Sequence, residues 1–393
     1  MGLLSGPITL DCFRISGSQP RQFSLEHVET LKRFAIGQGE TSAAEEAEVG
    51  FLAGEHLFDS RFGLEKNVIG DALHCAMRID TNQIPSAVRR AWLQMELAAL
   101  TADNPSGRPT KAQRQEAKDA VAARCEEEGR SGKFRKMQQF PLLWDAKNGL
   151  LYFGASSTIA GEHCCDLCSR AFDLDLARLT AGRRAQEWAA AAKRRKALDE
   201  LLPSAFQANA PSGEIDWWNH EAGNFDFLGN EFLLWLWWRW ETQSDTIKLP
   251  DDSEVTGMLA RTLSLQCPRG ESGKETITAE APSRLPEAAQ AIRSGKLPRK
   301  AGLILVRCGE QYELVLQAET FSISGARIQA EDAAEEQAVL EDRIERLRGL
   351  NETVDLLFQA FCARRIGKNW SDELEEMRRW LKADATRSRK RTA

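Results

Sequence analysis

Apolar and polar positions along the first part of the chain switch repeatedly between a period of two and a period near 3.6. "ITLDCFRI" (8–15) alternates as a strand. "SLEHVETLKRFA" (24–35) then takes helical spacing, with Ser24 placed to cap and Glu26 and Glu29 near the positive helix end. "DALHCAMRI" (71–79) predicts a buried strand. "IPSAVRRAWLQMELAAL" (84–100) predicts an amphipathic helix with Pro85 and Ser86 at its start. After the breaker "NPSGRP", a second and highly charged helix is expected over "TKAQRQEAKDAVAARCEEE" (110–128). "FPLLWD" and "LLYFGAS" are apolar runs separated by "AKNG", and the Asn148-Gly149 pair favours a hairpin turn. A helix through "GEHCCDLCSRAF" (161–172) closes this half.

The middle reads as one alanine-rich basic helix, "AGRRAQEWAAAAKRRKALDELL" (181–202), then a loop-rich connector. It leads to "FLGNEFLLWLWWRWE" (227–241), where Asn230 before Glu231 marks a helix start. Strands are expected over "TGMLARTLSL" and "KETITAEA", around the turn-rich "CPRGESG". A helix over "RLPEAAQAIRSGK" and a second hairpin, "AGLILVRC" with "YELVLQAETFSI", come next. From "AEEQAVLEDRIERLRGL" onward the chain is helical, with Glu341, Glu345 and Arg348 at helical charge spacing, and "TRSRKRTA" reads as a basic tail. Helix followed by hairpin occurs twice, which predicts an α+β fold rather than a parallel βα alternation. The expected segments are an N-terminal αβ domain (1–180), a helical basic and tryptophan-rich segment (181–250), a second αβ domain (251–330), and C-terminal helices with the tail (331–393).

Four tryptophans between Trp235 and Trp240 raise the question of a membrane or of base stacking. The unbroken apolar run, Phe232 to Trp238, falls well short of the about 20 residues that span a bilayer. Only Arg239 is interleaved with the rings, whereas stacking grooves mix aromatics with several cations. A helix apolar on all sides is expected to be packed in a core or against a subunit. Composition agrees: 28% charged and 42% hydrophobic residues over 393 positions are ordinary globular values. The start of the chain reaches Asp11 before any long apolar run, so no secretory leader is expected. Nine scattered cysteines do not suggest a disulfide framework, and a cytosolic setting is the expectation.

The candidate chemistry for catalysis is thin. "RGESGKET" lacks a phosphate loop's first glycine, since Pro268 stands there, and has Glu275 where Ser or Thr is needed. Cys165 and Cys168 have half-site zinc spacing beside His163 and Cys164, but no second ligand pair follows, and Cys164, Leu167 and Cys168 would share an apolar helix face. The five histidines, His27, His56, His74, His163 and His220, form no nucleophile–base pattern. Acidic runs, Glu126 to Glu128 or Glu331, Asp332, Glu335 and Glu336, would suit a metal-dependent nuclease, with a solvated helix face as the plainer explanation.

The net charge of −6 gives no global pull toward DNA, so such a partner must meet local basic surface. Three stretches qualify. "GRSGKFRKMQQ" places Arg130, Lys133, Arg135 and Lys136 around Phe134, a basic turn with an aromatic tip. "RSGKLPRK" sets Arg293, Lys296, Arg299 and Lys300 around a turn, and "KRRK" spans Lys193 to Lys196.

Two parts of the chain resemble the RdgC family of recombination-associated bacterial DNA-binding proteins. One runs from "HCAMRIDTNQIPSAVRRAWLQMELAAL" through "RPTKAQRQEAKDAV" to "KFRKMQQFPLLWDAKNGLLYFGASS", and the other is "EAAQAIRSGKLPRKAGLILVRCGEQYELVLQAETFSI". The ordered combination carries the resemblance, and "KRRK" and "DWWNHEAGNFDF" have no counterpart in it. It implies a non-enzymatic, cofactor-free homodimer, ring-shaped, that holds single- and double-stranded DNA in a basic hole and restrains the bacterial recombinase by competing for DNA. It further implies a nucleoid-associated protein with no membrane partner. It places Phe134 at the ring's dimer contact and Lys296 and Lys300 at basic positions. A metal-dependent nuclease, or a scaffold whose tryptophan helix docks a protein, are the alternatives.

Overall fold

The computed structural model describes residues 3–17, 19–38, 47–102, 104, 107–206, 215, 221, 223–268, 273–328 and 336–382. The fold is α+β, and its residues group into two compact units that interleave along the sequence. The larger comprises Met1–Gln19, Leu143–Thr158 and Asp175–Ala393; the smaller comprises Pro20–Leu142 and Ile159–Leu174.

The chain opens with β1 (Ile8–Ser16) in the larger unit. It continues in the smaller one with α1 (Leu25–Arg33), β2 (Ala47–Leu52), α2 (Leu64–Asn67), β3 (Val68–Ile69), β4 (Ala72–Thr81), α3 (Ser86–Thr101) and α4 (Lys111–Arg130). β5 (Lys136–Asp145) leads back to the larger unit and to β6 (Leu150–Phe153), and α5 (Thr158–Phe172) adds to the smaller. All later elements lie in the larger unit. They are β7 (Asp175–Arg178), α6 (Ala181–Ala191), α7 (Arg195–Asp199), α8 (Phe227–Thr242), β8 (Thr246–Lys248), β9 (Glu254–Gln266) and β10 (Lys274–Ala279). After these come α9 (Pro286–Arg293), β11 (Leu297–Arg307), β12 (Glu310–Gln317), β13 (Ile323–Arg327), α10 (Glu336–Arg365) and α11 (Trp370–Lys382).

In the larger unit the strands pair antiparallel in the order β10–β9–β11–β12–β13–β1–β6, with β7 on β1 and β8 on β9. The expected hairpin at Asn148-Gly149 forms, Asn148 donating to the Asp145 carboxylate at 2.8 Å. In the smaller unit β2 and β3 pair antiparallel with β4, and β5 neighbours β4.

The tryptophan run is core. Every residue of α8 from Phe227 to Trp238 is buried, against β9 and β11 on one side and α6, α10 and α11 on others. The Trp235 ring lies 5.6 Å from Phe361, and Phe232 packs on Phe321, Phe358 and Phe361. The helix starts earlier than Asn230 suggested, because the buried face already begins at Phe227. Asn230 is instead a buried strut whose amide donates to the Pro298 carbonyl at 2.7 Å and to Glu319 at 2.6 Å. Glu231 is equally buried and pairs with Arg365 at 2.5 Å. Gly229 lets the backbone come close: a Cβ there would stand 1.8 Å from the Ala318 carbonyl oxygen.

The basic helix expected over 181–202 is two helices. Lys193 adopts a left-handed φ of 56° in the break after α6, leaving Lys193 and Arg194 exposed there and Arg195 and Lys196 exposed at the start of α7. Among the described residues no helix is long and apolar enough to cross a membrane.

Because Trp235 is fully packed, Trp235→Ala should cost about 3–5 kcal/mol, read as a lower denaturation midpoint. A Trp235→Ala protein of unchanged stability would show that the ring does not hold the core.

Candidate nucleic-acid interface

The basic turn from Arg130 to Lys136 lies in the smaller unit, where α4 hands over to β5. α3 and α4 pack on each other around Ile84, Trp92 and Val121, with Val88, Leu93, Cys125 and Phe134 closing the cluster. Thr110 and Gln113 form a capping box that fixes the start of α4, and the Arg124 guanidinium lies 4.4 Å from the Trp92 ring. Past Arg130 the chain reverses at Gly132, whose φ of 71° is costly for a side-chain-bearing residue.

Two anchors set the turn's shape. Phe134 is half-buried, its ring edge-on to Trp92 at 6.1 Å. The resemblance gives this ring to a dimer contact, whereas in the folded unit it packs against its own helix pair. Arg135 is held by carboxylates from two strands, Asp80 of β4 at 2.5 Å and Glu48 of β2 at 2.7 Å. Asp80 is buried and also accepts both arms of Arg78, at 2.7 Å each. One carboxylate thus joins two guanidinium groups, the fork geometry that arginine favours.

The remaining cations face water. Arg130 and Lys136 are exposed, and Lys133 is exposed with a 3.6 Å contact to Glu128 and its ammonium 5.8 Å from the Phe134 ring. Between Ser86 and Lys136 lysines and arginines outnumber acids, within a chain of net charge −6. Such a turn suits phosphate oxygens, which accept from any exposed ammonium or guanidinium without sequence readout.

The second stretch, in the larger unit, is mostly engaged in structure. Lys296 is buried against Glu275. Arg299 pairs with Glu319 at 2.6 Å and donates to Gln266. Lys300 is half-buried in β11, opposite Ser264 and Gln317, and Arg293 is exposed at the end of α9.

The acidic and thiol clusters offer poor metal chemistry. Glu126, Glu127 and Glu128 are consecutive on α4, so their carboxylates fan out around the helix rather than converge. Glu331, Asp332 and Glu335 lie outside the described residues, as do the Glu336 side chain, His220 and the tail from Ala383. Among the described residues Glu55, His56 and Asp59 bring ligand atoms together, yet Lys66 already serves as their cation, 2.7 Å from Asp59 and 2.9 Å from Glu55. Burial pushes the Asp59 carboxyl up, but the Lys66 ammonium and the amides of Glu55 and Arg61 outweigh it and hold it below the ordinary value. Cys164, Leu167 and Cys168 share a buried helix face. A hydrogen bond to Cys168, with burial, pushes the Cys164 thiol well up, and burial does the same to Cys75. His74 is pushed down to about 4 by burial, with the Lys66 charge adding to it.

Sequence reading missed Phe58, Arg78, Asp80 and Glu48. Phe58 is 66% exposed, and the Arg78 guanidinium carbon lies 5.3 Å from its ring centre. No protein-family model matches the chain, and no curated protein matches it.

If Phe134 anchors the turn to the helix pair, Phe134→Ala should cost about 2 kcal/mol, within the range for burying a phenylalanine. It should also speed amide exchange in α3 and α4 selectively. Unchanged exchange in both helices would remove Phe134 from the anchor.

Proposed function

We propose that the chain is a sequence-independent DNA-binding protein, not an enzyme, that grips the phosphate backbone through the turn from Arg130 to Lys136. The observation that carries this reading is the fixed basic turn itself. Phe134 and Arg135 are spent on holding it, which leaves Arg130, Lys133 and Lys136 presented to solvent in a defined arrangement. A turn already held in shape loses less conformational entropy on binding than a mobile one.

The resemblance to the RdgC family extends the proposal. Two copies form a ring around duplex DNA, bind single strands as well, and restrain the recombinase by occupying its substrate. The chain then works in the cytoplasm at the nucleoid. A two-fold pair of turns suits this, since each copy offers the same patch to a backbone of near-uniform charge. In the larger unit, Arg293, Lys300 and the exposed run from Lys193 to Lys196 are the further phosphate contacts under this reading. Lys296 and Arg299 then act by shaping the turn rather than touching DNA.

The test is a shift assay with labelled linear duplex over a range of salt, with and without magnesium. Log K should fall linearly with log salt, by about 0.9 per neutralised phosphate, hence about 2.7 from one turn and about 5.4 from a pair. Unrelated duplexes should bind alike and stay intact. Salt-insensitive binding, preference for one arbitrary sequence by roughly 1,000-fold, or magnesium-dependent cleavage would contradict the proposal.

A further inference from the structure

The loop from Ala53 to Gly63, between β2 and α2, holds an aromatic ring out in solvent beside the basic turn. Phe58 is the one aromatic among the large apolar side chains that stand exposed in the described residues. Single exposed apolar residues are ordinary on protein surfaces, and one on a loose loop would carry no message. This loop is pinned along its length. The Ala53 amide donates to the Asp59 carbonyl at 2.8 Å, and the buried Asp59 carboxylate accepts from the amides of Glu55 and Arg61. Lys66 neutralises that carboxylate, and Asn67 donates to the Ala53 carbonyl. The Phe58 amide itself donates to the His56 ring at 3.2 Å.

Two further bonds tie the loop to the strands that carry the turn. Arg78 of β4 donates to the Leu57 carbonyl at 3.1 Å, and Gln139 of β5 donates to the Gly54 carbonyl at 3.0 Å. Arg78 thus links the loop to the turn. Its guanidinium lies against Phe58, its fork grips Asp80, and Asp80 in turn grips Arg135. A continuous line of contacts runs from the exposed ring to the basic turn, all within the smaller unit. One side of the ring meets a cation, and most of its surface stays open to solvent.

We infer that Phe58, backed by Arg78, is a stacking platform for an unpaired base of single-stranded nucleic acid whose phosphates lie along the turn from Arg130 to Lys136. This rests on the DNA-binding reading above and adds to it a strand preference and a residue. Every base has an aromatic face, so the platform is indifferent to sequence, and a preset ring needs no ordering before it stacks. Base pairs inside a duplex hide those faces, so Phe58 adds nothing there. Phe134 cannot serve instead, because its ring is engaged with Trp92.

The experiment compares the wild-type protein, Phe58→Ala and Phe58→Trp on three probes: oligo-dT, an abasic oligonucleotide of the same length, and linear duplex. Phe58→Ala should lose about 5- to 150-fold in affinity for oligo-dT, the range that one base–aromatic stack carries. Its salt dependence should be unchanged, and Phe58→Trp should restore binding. The abasic strand and the duplex should bind the wild type and Phe58→Ala equally, which also shows the variant to be folded. Equal oligo-dT binding by wild type and Phe58→Ala, with intact phosphate binding, would overturn the stacking role alone. Failure of the wild type to bind any of the three probes would overturn the DNA-binding reading and this inference with it.

Discussion

The Asp80 carboxylate is the contact on which the candidate interface depends. A turn that carries four cations within seven residues repels itself and, left alone, would spread through many shapes. Asp80 is buried on β4 and holds Arg78 and Arg135 together, while Glu48 takes the other side of Arg135. Two carboxylates and two guanidinium groups balance here, so removing either arginine leaves the cluster with one excess negative charge beside the buried Asp80. The same pairing fixes the loop that bears Phe58, through Arg78. Geometry of the turn and exposure of the ring therefore have one origin.

The larger unit solves a different problem, how to hold a long antiparallel sheet against helices that are polar on part of every face. α8 does this by being apolar all round, so that it is buried by β9, β11, α6, α10 and α11 at once. Several polar groups it carries inward find partners: the Asn230 amide nitrogen donates to the Pro298 carbonyl, Glu231 pairs with Arg365, and the Trp235 indole donates to Glu373. Comparable pairs tie α10 to the rest of the unit. Arg348 meets Asp145 at 2.7 Å, and Arg184 meets Asp355 at 3.0 Å. Indole here is structural material.

Periodicity made the long elements legible. The strand at 71–79, the helices of α3, α4 and α5, the Asn148-Gly149 turn and the burial of the tryptophan run all follow from spacing and turn chemistry. The errors have local causes. Lys193 takes a left-handed conformation without a glycine to announce it. Asn230 mimics a cap, but the buried run had already started. "YELVLQAETFSI" divides into β12 and β13 because Phe321 turns the chain with a φ of 56°. In the site, the cations of the turn were readable as a cluster. Their fates were not, since Arg135 is paired with residues 55 and 87 positions away. Phe58 was invisible for the same reason: in sequence it is a lone ring in a polar loop, and only Arg78, brought in by β4, gives it a setting.

Under the proposed function, the exposed cations of the turn bind DNA phosphates. The most direct measurement is the salt dependence of duplex affinity for a combined Arg130→Gln, Lys133→Gln, Lys136→Gln protein beside the wild type. The variant should keep its fold and show a slope of log K against log salt shallower by about 2.7 for each turn that engages the duplex. An unchanged slope and affinity in the folded variant would contradict it.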